Sequence, residues 1–142
     1  YFTQENWFLF FGENHNAHTI LNLWVADSPH GVFMAHPESP IVMSPSEARM
    51  AGAVLNYKGR VLRFGQNNSG EYGDSLAIMH ITDLTAKSYA EKKLGMMSID
   101  EFHGPHSIGF SPDMETIVLD YYSNEFSLFA GVRRIKGRLR RQ

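Results

Sequence analysis

Two segments of this chain repeat one another at a spacing of 53 residues, and the runs that follow them also match. Residues 11–14 read FGEN and residues 64–67 read FGQN, while the apolar runs at 21–27 and 76–83 read LNLWVAD and LAIMHITD. Self-similarity at a period of up to about 50 residues is the signature of repeat architectures, in which one supersecondary unit stacks on the next. The sequence therefore predicts a structural unit that is used more than once.

A tight turn joins two strand-like runs inside the second copy of this unit. Residues 50–55 and 60–64 are rich in the apolar residues that strands favour. Between them, Gly59 can adopt a positive φ at little cost, and Asn56 is a common first residue of a turn. These two runs are predicted to form a β-hairpin.

The rest of the chain reads as further short strands separated by turns. The predicted strands are residues 6–11, 19–26, 32–35, 76–81, 90–97, 104–110 and 115–122. The proline-containing segments 36–40 and 44–46 predict a linker between units. Residues 85–94 have a short helix as their alternative, but a loop followed by the strand at 90–97 is preferred.

Each unit thus contains up to four short strands in sequence order. A four-stranded antiparallel unit repeated about every 50 residues fits a β-propeller blade. The predicted fold is all-β, a β-propeller fragment of roughly two and a half four-stranded antiparallel blades at residues 1–125. A sandwich or barrel is the main alternative, because its strands also recur every 8 to 12 or so residues.

The charge is divided unevenly along the chain. Residues 1–132 hold 7 Lys and Arg against 15 Asp and Glu, a formal charge of −8, whereas residues 133–142 carry six basic residues and no acidic ones. The acidic body argues against a nucleic-acid-binding domain. The chain has no cysteine, which excludes disulfides and thiolate chemistry, and no apolar run of the roughly 18 residues that a membrane span needs.

The basic end of the chain, residues 126–142, is predicted to form a short amphipathic helix. Phe129, Val132, Ile135 and Leu139 are spaced by three, three and four residues, which is helical spacing. Such a helix suits peripheral contact with an anionic membrane surface. The alternative is that its apolar side packs on the acidic body. The predicted location is cytoplasmic, with this possible membrane contact.

An ordered set of short motifs resembles a known family. They are 36–40 (HPESP), 48–52 (ARMAG), 59–63 (GRVLR), Gln66, 72–73 (YG), 81–84 (ITDL) and Tyr89. In this order they resemble the N-terminal domain of glucosamine inositolphosphorylceramide transferases and their bacterial relatives, over residues 7–122. That domain is similar to the five-bladed propellers of furanosidase-type glycoside hydrolases.

The resemblance has implications for function. It implies that the chain is a fragment, the C-terminal half of a longer propeller domain, and that a catalytic carboxylate on the opening blades lies outside it. We expect a domain that binds a sugar or glycoconjugate within a bacterial glycosyl-transfer system. A furanosidase-type hydrolase fragment and a non-catalytic structural or interaction domain are the alternatives.

Polar residues at the ends of the predicted inner strands are the candidates for binding. Arg49 opens such a strand, and its planar guanidinium suits a carboxylate, a phosphate or vicinal hydroxyls; an ion pair between units is the alternative. Glu13 and Gln66 occupy equivalent repeat positions. A Glu there can act as an acid or base, but turn capping and hydrogen bonding between units are the favoured roles for this pair.

Two HxxH sequences raise the question of a metal site. His103 and His106 precede a predicted inner strand, and His15 and His18 have the same spacing. Imidazole nitrogens are common zinc ligands, but strand-end loops do not fix their geometry. Hydrogen bonding from His103 and His106 into a central funnel is favoured, with His15 and His18 at the surface. No metal or other cofactor is predicted.

Tyr72 and Asp120 complete the candidate set. Tyr72 lies in the polar loop 67–74, where its ring can stack on a sugar. Asp120 closes a predicted strand and is either a funnel carboxylate or a turn acceptor. Glycoside hydrolysis needs two carboxylates at a definite separation. Spacing along the sequence does not fix that separation, so no catalytic residue is assigned.

Overall fold

The structure, a computed structural model, describes residues 1–70, 73–100 and 102–123. All the regular elements of this described part are β-strands. In chain order they are β1 (Trp7–Phe11), β2 (Ile20–Ala26), β3 (Met34–Ala35), β4 (Val42–Met43), β5 (Arg49–Met50), β6 (Leu55–Tyr57), β7 (Arg60–Asn67), β8 (Ser75–Leu84), β9 (Tyr89–Met97), β10 (Ile108–Phe110) and β11 (Ile117–Leu119).

The first sheet contains β1 to β4, and all its pairings are antiparallel. The order is β1-β2-β3, and β4 pairs with the other end of β2. The outer strand is therefore split in two. Ser39 bridges the gap, because its hydroxyl oxygen accepts a hydrogen bond from the Leu23 N–H at 3.1 Å. The predicted linker is thus partly wrong: the chain returns to the sheet after the prolines.

The second sheet has the order β5-β7-β8-β9, with β6 also paired to β7. The predicted hairpin is present, but its first strand is broken between β5 and β6. Lys58 and Gly59 form the turn with φ of 50° and 79°, the two positive values of a type I′ turn. The Asn56 side-chain oxygen accepts the Gly59 N–H at 3.1 Å. The alternative helix at 85–94 is wrong, because β9 begins at Tyr89.

The break between β5 and β6 is where the third sheet, β10 paired with β11, attaches to the second. Ile108 donates its N–H to the Ala51 carbonyl at 2.8 Å. A Cβ on Gly52 would lie 2.3 Å from the Ile108 carbonyl oxygen, so only glycine allows this approach. The strands of this sheet are shorter than the predicted 104–110 and 115–122, because the N–H groups of His106 and Ser107 donate to the Asp120 side chain instead of to a neighbouring strand.

Residues 63–66 of β7 are buried, with side chains on both faces of the second sheet. Phe64 belongs to the buried cluster with Ala51, Leu76 and Ile108, on the side of the third sheet. On the opposite face, the fully buried Arg63 binds both carboxylate oxygens of Glu91 and donates to the Glu47 carbonyl at 2.8 Å. The second sheet therefore packs face to face with the third sheet through an apolar layer. It packs with the first sheet through a polar layer that contains Arg63 and Glu91.

The polar layer joins the first and second sheets through Tyr89. Its hydroxyl donates to Glu91 at 2.6 Å, its N–H donates to Glu38 at 2.6 Å, and its ring meets Phe10 edge-on. Burial and the neighbouring carboxylate of Glu91 raise the pKa of Tyr89. Burial alone would lower the pKa of Arg63, but the hydrogen bonds and charge of Glu91 outweigh it and the pKa is raised. Arg63 therefore stays charged and Tyr89 neutral at ordinary pH.

The all-β prediction is confirmed for the described residues, and the sheets do not close on one another. The repeated segments 11–14 and 64–67 both begin within a strand, in the first and second sheets respectively, but the two strands end at different points of the repeat. β1 ends at Phe11, where the chain turns back and Gly12 packs so closely on Ala17 that a Cβ would lie 2.7 Å from the Ala17 Cα. β7 continues to Asn67.

The predicted helix at 126–142 lies outside the described residues, among which no helix is long and apolar enough to cross a membrane.

Candidate functional site

Gln66 ties the end of β7 to the segment that leads into the third sheet. Its side chain is 4% exposed, and its amide donates a hydrogen bond to the His106 carbonyl. Gly73, with a φ of 64°, packs directly on His106, and a Cβ there would lie 2.3 Å from the His106 Cβ. The loop after β7 thus closes over His106, as the glycine in this loop allows.

His106 faces Asp120 across the start of the third sheet. Its Nε2 lies 2.9 Å from one carboxylate oxygen, and the other oxygen accepts the N–H groups of His106 at 3.2 Å and Ser107 at 2.6 Å. Partial burial opposes ionisation of Asp120, but the Ser107 and His106 hydrogen bonds and the His106 charge outweigh it, so its pKa lies below the ordinary value. Asp120 is therefore an ionised acceptor that orders the 106–107 backbone.

His103 forms a second pairing with a carboxylate, Asp74, at 3.0 Å from its Nδ1. Its backbone pairs with Tyr122 through two hydrogen bonds. The Tyr122 ring stacks on His103 at 4.9 Å and meets His106 edge-on at 6.4 Å. Tyr122 thus joins the two His–Asp pairs into one group.

We call this group the polar cluster and define it by six residues: Gln66, Asp74, His103, His106, Asp120 and Tyr122. Two buried polar atoms at its edge have no hydrogen-bond partner among the described residues, Gln66 Oε1 and Asn68 Nδ2. The Asn68 side-chain oxygen accepts the Gly73 N–H at 2.9 Å. An unpaired buried polar group costs about 1–3 kcal/mol.

Arg49 lies beside this cluster. It is directly opposite Gln66 in the β5–β7 ladder, and its Nη1 is 3.3 Å from both ring nitrogens of His18. Arg49 therefore links the second sheet to the loop after β1. The predicted cavity shared by Arg49 and His106 stays a prediction: neither residue lines the cavity between the second and third sheets or the one beside β1 and β5.

Glu13 does not share the environment of Gln66. It lies in the exposed turn after β1, with its carboxylate 3.5 Å from His15 Nε2. The repeat aligned the two residues, but β1 stops before Glu13 whereas β7 runs past Gln66. Tyr72 lies outside the described residues. Within them, no three His, Asp or Glu side chains gather as a metal site would require.

Sequence reasoning missed three residues of this region: Asp74, Asn68 and Tyr122. Asp74 and Asn68 are in the polar loop 67–74. The dense run of Asn, Ser and Gly in this loop is the sequence feature that could have indicated them. The signal for Tyr122 was weaker, because its role depends on a bridge to His103 that lies 19 positions earlier in the sequence.

Residues 1–107 match the family described as "Glucosamine inositolphosphorylceramide transferase 1, N-terminal". The chain belongs to this family. Among curated proteins, "Glucosamine inositolphosphorylceramide transferase 1" of Oryza sativa subsp. japonica is 34% identical over 73 residues, and its counterpart from subsp. indica is 33% identical over 73 residues. Each match covers 50% of this chain and 10% of the relative. No solved structure matches.

Membership of this family supports a carbohydrate-related role for the chain, because the family takes its name from a glycosyl-transferring protein. The chain spans about a tenth of the relatives' length. The activity, substrates and partners of those whole proteins are therefore taken up only as proposals.

Proposed function

We propose that this chain is part of a propeller-type domain that binds a sugar or glycoconjugate within a glycosyl-transfer system. The support for the propeller arrangement is the succession of three antiparallel sheets that pack face to face without closing. The inner strand of the second sheet also contacts the inner strand of the third through Ile108 and Ala51. In propellers, inner strands approach one another in this way around a central channel.

The polar cluster is the observation that carries the binding role. It gathers planar amide, imidazole and carboxylate groups, with an aromatic ring between the two histidines. Planar polar side chains match the hydroxyl pairs of a sugar ring, and an aromatic face suits its C–H surface. Asp74 and Asp120, whose side chains are 46% and 41% exposed, supply the acceptors that a sugar hydroxyl can reach.

The name of the rice relatives suggests which ligands to try. It joins glucosamine, a sugar, with inositolphosphorylceramide, a lipid that carries inositol phosphate, in the name of a transferase. Arg49 stands beside the cluster and supplies a cation suited to a phosphate. We therefore propose a glucosamine-bearing or inositol-phosphate-bearing glycoconjugate as the ligand class, with the lipid part held at a membrane.

Titration by ¹⁵N NMR tests this proposal. Glucosamine and myo-inositol 1-phosphate are added separately, and we expect saturable shifts confined to the backbone amides around Gln66 and His106. Asp120→Asn removes the charge but keeps the shape, and a lost charged hydrogen bond of about 1.5–3 kcal/mol should weaken binding by at least tenfold. Asp27→Asn, at an exposed position, is the matched control. No saturable shift with either ligand would refute the proposal.

A glycoside hydrolase of the furanosidase type is the second candidate. The observation that favours it is that the cluster holds two carboxylates, Asp74 and Asp120, each against a histidine. Retaining and inverting glycosidases both act through a pair of carboxyl groups. Release of nitrophenol from a nitrophenyl arabinofuranoside, lost in both Asp74→Asn and Asp120→Asn, would support this candidate. Equal release by the wild type and both variants would remove it.

A further inference from the structure

An apolar cavity of about 310 Å³ lies between the second and third sheets. Ten of the described residues line it, and none of those ten is charged. Leu62 and Ile78 come from the second sheet, and Phe110 and Ile117 from the third. The cavity therefore offers dispersion contacts from two opposed sheets and no ionic partner.

The cavity has a closed bottom and an open mouth. Phe64 and Ile108 at the bottom are 3% and 5% exposed, whereas Tyr57 and Ile117 at the mouth are 42% and 56% exposed. An empty apolar space leaves its lining atoms without contacts on one side. The cavity is thus a slot, open to solvent at one end, that an apolar group would fill favourably.

The slot is separate from the polar cluster. Leu62, Phe64 and Gln66 lie on the same face of β7, and Phe64, at the bottom of the slot, is two residues, or roughly 7 Å along the strand, from Gln66. The buried Phe64 stands between the slot and the cluster. A ligand in the slot therefore does not touch the cluster, and binding at the two sites can be measured independently.

We propose that this slot binds a single unbranched alkyl chain, the hydrocarbon tail of a lipid. A methylene group fills about as much space as one molecule of liquid water, about 30 Å³, so the slot has room for roughly ten methylenes. An uncharged apolar lining favours hydrocarbon over a sugar or a peptide with polar backbone groups.

A chain-length series tests the proposal on the intact protein. Hexanoate, octanoate and decanoate are titrated into protein with labelled methyl groups, with acetate as the control that has only the head group. We expect saturable shifts at Leu62, Ile78 and Ile117, and an affinity that rises about fourfold for each added methylene. Decylphosphocholine should bind as decanoate does, because the tail and not the head group is recognised.

Two tryptophan variants localise the binding. Leu55→Trp fills the slot and should weaken decanoate binding at least tenfold, and Ile117→Trp at the exposed mouth should do so with less strain on the fold. Leu94→Trp, on the exposed side of β9, is the matched control and should leave binding unchanged. Asp120→Asn should also leave it unchanged, which separates this proposal from sugar binding at the polar cluster.

Three results would overturn the proposal. One is an affinity that does not rise with chain length in the wild type. Another is a requirement for the carboxylate, seen as decanoate binding without decylphosphocholine binding. The third is a set of shifts spread over the exposed apolar residues of the first sheet, such as Leu9, rather than confined to the slot.

Discussion

Replacing Glu91 by alanine should destabilise the fold more than any exposed charge substitution. The Arg63 side chain is 0% exposed and the Glu91 side chain 9% exposed, so the variant leaves a buried guanidinium without its carboxylate. Loss of one partner of a buried ion pair costs about 3–5 kcal/mol. At roughly 3–5 °C for each kcal/mol in a chain of this size, the melting temperature should fall by about 10–25 °C.

The companion variants separate charge from packing. Tyr89→Phe removes only the hydroxyl that donates to Glu91, and its cost should be about 1–3 kcal/mol. Arg63→Met with Glu91→Leu replaces the whole pair by apolar groups, a change that is often neutral in buried pairs. The double variant should therefore recover most of the stability that Glu91→Ala loses.

Thermal unfolding followed by circular dichroism measures these changes, with Lys92→Ala as the control. Lys92 is the exposed neighbour of Glu91 on β9, and its loss should cost less than about 0.5 kcal/mol. The reasoning fails if Glu91→Ala lowers the melting temperature no more than Lys92→Ala does. It also fails if the double variant is as unstable as Glu91→Ala.

Three further predictions concern the sheets and the polar cluster. Gly52→Ala places a Cβ 2.3 Å from the Ile108 carbonyl oxygen and should detach the third sheet, seen as faster amide exchange at Ile108 than in the wild type; unchanged exchange there would contradict this. The lowered pKa of Asp120 means that its stabilising contribution is complete above the unfolded-state value and is lost as pH falls through the lower folded value. Asp120→Asn should therefore flatten the acid limb of the stability–pH curve in urea unfolding, and an unaltered limb would count against it. Gly59→Val forces a β-branched residue to a φ of 79° and should cost about 1–3 kcal/mol in the same assay, whereas Lys58→Gly should be tolerated.

The sequence was most informative where local chemistry decides the structure. The Gly59 turn, the strands β1, β2, β8 and β9, and the all-β class follow from periodicity and turn residues. The split outer and inner strands were not predictable, because Ser39 and Gly52 break the pairing through contacts with residues far away in sequence.

The candidate site was only partly predictable, for a related reason. Gln66, His103, His106 and Asp120 were found because polar residues at strand ends are visible in one dimension. Their pairing with Asp74 and Tyr122 depends on how the loops meet in space. Several residues of the family motifs, among them Arg63 and Tyr89, lie in the layer between the first two sheets instead. The family motifs therefore contain more residues that pack the sheets together than residues of the polar cluster.

The contact at Gly52 has a consequence for how such a protein can change over time. Because the Ile108 N–H of the third sheet donates to the Ala51 carbonyl at the break between β5 and β6, the backbones of the second and third sheets are joined at this point. A gene rearrangement that exchanged one unit for a copy of another would have to carry both halves of this contact, the glycine and its neighbour's backbone. The two sides of this contact must therefore be kept together in any exchange of sequence. A workable point of recombination lies within one sheet, in an exposed turn such as Lys58–Gly59, rather than at the contact between sheets.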